Sequence, residues 1–77
     1  MTVKTLSFIH SLLLKEVEKA ELKKRWLWDA YVFAGDELED HRIDRSEYEA
    51  KEQEYEAARK EYNTALSALH DFEAKEW

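Results

Sequence analysis

Apolar residues return along the first half of the chain every three or four positions. The seam reads Val3, Leu6, His10, Leu13, Val17, Ala20, Lys24, Leu27, Tyr31, Ala34 and Leu38, and all but His10 and Lys24 are apolar or aromatic. That is the spacing of one helix face, and a seam averaging 3.5 residues per turn keeps facing a partner helix. A second seam follows through Tyr48, Lys51, Tyr55, Ala58, Tyr62, Ala65, Leu69, Phe72 and Glu76, in which Tyr48, Tyr55, Tyr62 and Leu69 are each seven positions apart. Neither half alternates with a period of two for long, so strands are not expected. The pattern predicts one all-α domain: a first helix over about residues 2–39, a turn over about 40–44 and a second helix over about 45–76.

The junction carries its own signals. Asp44 is placed to cap the second helix by accepting from the backbone N–H of Glu47, with the Glu47 carboxylate reaching back and Ile43 stapling onto Tyr48. The single glycine, Gly35, is a candidate C′ residue for the first helix. Leu38 nevertheless continues the seam, so the helix is expected to run on to Glu39 with a weak spot at the glycine.

A turn of about five residues returns the chain antiparallel to itself, as in a coiled-coil-like hairpin. Taking positions that sum to about 86 as neighbours pairs Tyr31 with Tyr55, Lys24 with Tyr62 and Val17 with Leu69, and puts His10 near Glu76. One partner helix cannot cover the first helix, because Ile9, Leu12, Trp26, Ala30 and Phe33 lie on one flank of its seam and Leu14 and Trp28 on the other, with Phe8, Leu22 and Val32 elsewhere. Leaving the larger of these wet forfeits on the order of 10 kcal/mol at about 1.5–3 kcal/mol per side chain, as much as a domain's whole stability. The expected solution is a homodimer, an antiparallel four-helix bundle with the first helices central; a heterologous protein partner is the alternative. The expected protein-interaction residues are Ile9, Leu12, Leu14, Trp26, Trp28, Ala30 and Phe33.

Composition narrows the function. The chain has 77 residues, a net charge of -6, no cysteine and no proline. Without cysteine there is no disulfide framework, thiol nucleophile or thiolate metal site, which suits a cytoplasmic protein. No long apolar run suggests an export signal or a membrane span, so no membrane partner is expected. Acid concentrates in the second half, where Glu47, Glu49, Glu52, Glu54 and Glu56 form a possible acidic docking face, though a solvated, salt-bridged surface accounts for them more simply. Lys15, Lys19, Lys23, Lys24 and Arg25 make a basic stripe beside Trp26, the basis of an alternative reading as an RNA- or DNA-associated hairpin dimer. Nucleic acid is the lesser expectation because the net charge is negative and Glu16, Glu18 and Glu21 interrupt the stripe. His70 and Glu73 resemble half of a carboxylate–histidine metal site but lack the other ligands, so no metal and no cofactor are expected. No catalytic constellation can be assembled. The sequence therefore reads as a small acidic interaction module, an adaptor, inhibitor or regulator of the kind mobile elements encode.

Overall fold

Thr2 opens the first helix: its hydroxyl accepts from the backbone N–H of Thr5 at 3.2 Å, satisfying one of the donors a helix start leaves free. In the computed structural model, which describes residues 2–76, α1 runs over Val3–Glu39 and α2 over Arg45–Lys75. The Asp44 carboxylate caps α2 by accepting from Glu47 N–H at 2.8 Å. The two helices pack along their lengths as a hairpin 58 Å long and 14 by 12 Å across. Among the described residues no strand forms, and no helix is long and apolar enough to cross a membrane.

Gly35 does not end α1. The helix continues four residues beyond it, and the left-handed C′ position is taken by His41, at φ 61°. His41 N–H donates to the Leu38 carbonyl at 3.1 Å and Arg42 N–H to the Glu37 carbonyl at 2.8 Å, the two bonds of a Schellman stop. Glycine lost this position to packing, because Leu38 is a half-buried seam residue and the Tyr48 ring lies over the last turn, 3.7 Å from where a Gly35 Cβ would stand. A non-glycine residue in this conformation is strained by about 1–2 kcal/mol. His41→Gly is therefore expected to stabilise the hairpin by about 0.5–1 kcal/mol, raising the thermal midpoint by several degrees in a circular dichroism melt. An unchanged or lower midpoint would mean that the imidazole contributes more than the strain it causes.

The seams meet as the spacing requires. Every α1 seam residue after Val3 is half-buried or buried, as is every apolar or aromatic α2 seam residue, while Lys51 and Glu76 are exposed. Lys24 keeps its expected partner, its Nζ standing 4.1 Å from the centre of the Tyr62 ring. Towards the open end the register differs by about one turn. His10 Nε2 bonds Glu73 at 3.0 Å and its ring stacks on Phe72, rather than meeting Glu76. The turn itself is not the cause, since α1 ends at Glu39 and α2 starts at Arg45 as expected and Tyr31 and Lys24 keep Tyr55 and Tyr62; the offset arises along the helices, away from the turn.

The core is thin. Among the described residues only Ala34, Ala58 and Leu69 are buried. The chain exposes 6083 Å², whereas a compact monomer of 9.3 kDa would expose about 5,000 Å². A rod two helices wide has no interior, so each helix turns more than half of its circumference outward.

Candidate protein-interaction face

At 100° per residue, Phe8, Leu12, Leu22, Trp26 and Phe33 fall within about 80° of one another on α1, and Lys15 and Lys19 occupy the middle of the same strip. The strip lies away from the seam. Trp26 is 75% exposed, Phe8 64%, Phe33 59% and Leu22 56%. Ile9 and Ala30 are half-buried on the edge between strip and seam. Beside the middle of the strip an open groove of about 960 Å³ runs between the helices, walled by Lys19, Leu22 and Trp26 of α1 and by Lys60, Thr64 and Ala68 of α2. Its α2 wall is low where the residues are small, at Thr64, Ala65 and Ala68. Lys23 crosses the floor to Glu61 at 3.0 Å.

The structure divides the sequence-based candidates. Leu12, Trp26 and Phe33 share the strip, with Ile9 and Ala30 along its margin. Leu14 and Trp28 lie on the other side of α1 with Val32. Trp28 is half exposed but engaged within the chain, its ring 5.0 Å from that of Tyr55 and 5.8 Å from that of Tyr31. Phe8 and Leu22 were not singled out from sequence, yet they complete the strip. Their signal was available: Phe8 and Leu22 are 14 positions apart, as are Leu12 and Trp26, so both pairs keep the heptad period of the seam.

Near the turn, four aromatic rings gather. Trp28, Tyr31, Tyr48 and Tyr55 lie within 5.0–6.0 Å of one another in successive pairs, spacings at which ring edges and faces attract. Tyr48 donates its hydroxyl to Tyr31 at 3.1 Å, and Tyr31 donates to Glu52 at 3.0 Å. The hydrogen bond with Tyr48 and then that with Glu52 push the Tyr31 pKa above its ordinary value of 10.0. A raised folded-state pKa stabilises the fold fully below the unfolded value and loses that contribution as pH rises towards the folded one. Stability is thus expected to fall above about pH 10, and more steeply in wild type than in Tyr31→Phe, as followed by denaturant melts at stepped alkaline pH. Equal slopes would mean that the pair does not hold the proton.

The acidic candidates do not form one surface. Glu49, Glu52 and Glu56 point to one side of α2 and Glu47 and Glu54 to another. Glu49 pairs with Arg45, Glu54 with Lys51 and Glu56 with Arg59, while Glu52 serves Tyr31. Part of the basic stripe is engaged within the chain, Lys23 on Glu61, Arg25 on Glu21 and Lys24 on Tyr62, while Lys15 and Lys19 lie exposed on the aromatic strip. His70 is exposed, and Glu73, its expected companion, bonds His10 instead. Among the described residues no cluster of three His, Cys, Asp or Glu stands ready for a metal ion.

Fold and face together define a two-helix hairpin whose first helix carries a long uncovered aromatic strip. No protein-family model matches the chain, and comparison with curated proteins and with solved structures returns no significant relative.

Proposed function

We propose that the protein is a small protein–protein interaction module that works as a homodimer, two hairpins joining into a four-helix bundle with their first helices central, and that it serves as an adaptor, inhibitor or regulator. The observation that carries this reading is the strip of Phe8, Leu12, Leu22, Trp26 and Phe33, all exposed on a single helix face. Contiguous apolar patches of this kind mark interaction surfaces in soluble proteins. The surface excess supports it. Relative to a compact monomer the hairpin exposes about 1,100 Å² too much, and a standard interface covers about 800 Å² on each partner. Trp and other aromatic anchors are also the side chains that dominate interface energetics.

Sedimentation equilibrium from nanomolar to about 100 μM tests the proposal. The expected result is a concentration-dependent 18–19 kDa species, about twice the 9.3 kDa chain. A well-folded species of single-chain mass throughout that range would overturn it.

A further inference from the structure

From the order of charges along the strip we infer that two copies pair through α1 antiparallel and over its full length, with facing positions summing to 41, so that the Lys15 ammonium of each copy lies over the Trp26 ring of the other. The inference rests on the self-association proposed above and specifies its geometry.

The strip alternates spacings of four and three: Phe8, Leu12, Lys15, Lys19, Leu22, Trp26, Asp29 and Phe33. It is therefore a second heptad seam, with layers of its own. An antiparallel pair can interdigitate those layers at facing sums of 34, 41 or 48, one heptad apart. Charge selects among them. At 34, Lys15 faces Lys19 across the middle layers, and Glu16 and Glu18 each face their own copies on the flanks. At 48, Lys19 gains Asp29 in a layer, but Lys23 and Arg25 each face their own copies on the flanks. At 41 no like charges meet: Phe8 faces Phe33, Leu12 faces Asp29, Lys15 faces Trp26 and Lys19 faces Leu22 in the layers, while on the flanks, whose sums lie two either side of 41, Glu16 meets Lys23 and Glu18 meets Arg25. In-register parallel pairing would stack Lys15 on Lys15 and Lys19 on Lys19, repulsions that cost an interface dearly.

The two lysines that interrupt the strip thereby acquire a use. A lysine stem can cover apolar surface while its ammonium sits over an aromatic face, and Lys24 already does this to Tyr62 within the hairpin, at 4.1 Å. The groove offers the room. Its low α2 wall at Thr64 and Ala68 leaves space beside Trp26 and Leu22 for a second helix. Overlap is nearly complete, since Val3 falls opposite Leu38 at this register.

Because the chain has no cysteine, nitroxide labels go only where they are placed. Lys4→Cys and Glu39→Cys lie at the two ends of α1, beyond the Phe8–Phe33 stretch of the strip, and both side chains are exposed. Pulsed dipolar spectroscopy on labelled Lys4→Cys alone is expected to give a separation of about 50 Å, against about 39 Å for the sum of 34 and about 60 Å for 48, at 1.5 Å of rise per residue. An equimolar mixture of the two labelled variants is expected to show an additional short distance of about 15–25 Å, the width of two packed helices plus label arms. A short Lys4–Lys4 distance would overturn the register in favour of parallel pairing, and values near 39 or 60 Å would overturn it in favour of another layer, with self-association intact in each case. Absence of any inter-chain distance, with single-chain mass in the ultracentrifuge, would remove self-association itself. As an independent arm, Glu18→Arg and Arg25→Glu should each weaken dimerisation at least about tenfold, and mixing the two should restore it as a heterodimer. Equal weakening in the mixture would count against the Glu18–Arg25 flank and hence against the register.

Discussion

Trp26→Ala is expected to weaken self-association by a factor of about 1,000 while removing nothing from the packing between α1 and α2. The indole is 75% exposed in the hairpin and stands on the strip, away from the seam. Truncating a central aromatic anchor costs about 2 kcal/mol or more. In a two-fold dimer each substitution is felt twice, so about 4 kcal/mol is lost, which is about three decades in affinity. Trp28→Ala should behave in the opposite way. Its ring packs on Tyr55 and Tyr31, so its loss lowers the hairpin's stability by about 1–2 kcal/mol, less than a fully buried tryptophan would, and leaves the strip untouched. Sedimentation equilibrium reads the first effect and concentration-dependent thermal melts separate it from the second. A Trp26→Ala protein with wild-type mass at every dilution would place the interface elsewhere. If the hairpin cannot stand alone, Trp26→Ala will lose helicity together with its partner, and the melting midpoint of the wild type will rise with concentration.

Leu69→Ala is expected to be the most damaging single truncation within the hairpin. Leu69 is the one large side chain in the buried core among the described residues, at 6% exposure. Removing a buried leucine to alanine costs about 2–5 kcal/mol, depending on how far the surroundings collapse. A two-layer rod relaxes more readily than a globular core, so about 2–3 kcal/mol is expected here, a drop of roughly 10–20 °C for a chain of this size. Leu22→Ala is the matched control, because the same atoms are removed from an exposed site. It should leave the melt of a dilute sample within a few degrees of wild type and weaken only association. Comparable losses for Leu69→Ala and Leu22→Ala at low concentration would mean that the buried seam is not what holds the helices together.

How much of this was readable beforehand follows from particular residues. Both helices were legible, since Asp44 supplies an N-cap and the seam residues recur with a helical period that no strand could satisfy. The end of α1 was legible too, since Leu38 continues the seam past Gly35 and the helix stops at Glu39 as expected. Glycine's freedom to adopt positive φ made Gly35 a candidate stop, but local preference is worth about 1 kcal/mol and the packing of Leu38 and Tyr48 outweighed it. The cost passed to His41, which carries no sequence signal for that conformation beyond being exposed and small enough in its demands. The partner of His10 was misplaced by about one turn although the turn falls where the caps put it: Tyr31 and Lys24 keep Tyr55 and Tyr62, and the offset appears only towards the open end.

The candidate face divides along the same line. Periodicity was sufficient to show that α1 has more apolar circumference than one helix can hide, because the count of large side chains around a helix does not depend on what surrounds it. Which of its two tryptophans is hidden could not follow from periodicity, since the two flanks of a seam are equivalent until α2 has a defined lean. Once α2 sets Tyr55 beside Trp28 while Trp26 borders the open groove, one indole joins the hairpin and the other is left to the solvent. Amphipathic helices, their caps and the surplus of greasy surface are properties of the chain's order of residues, which acts over a few positions. The side on which that surplus stays open is a property of two helices in contact, because it depends on rings and small side chains that meet across many residues of intervening sequence.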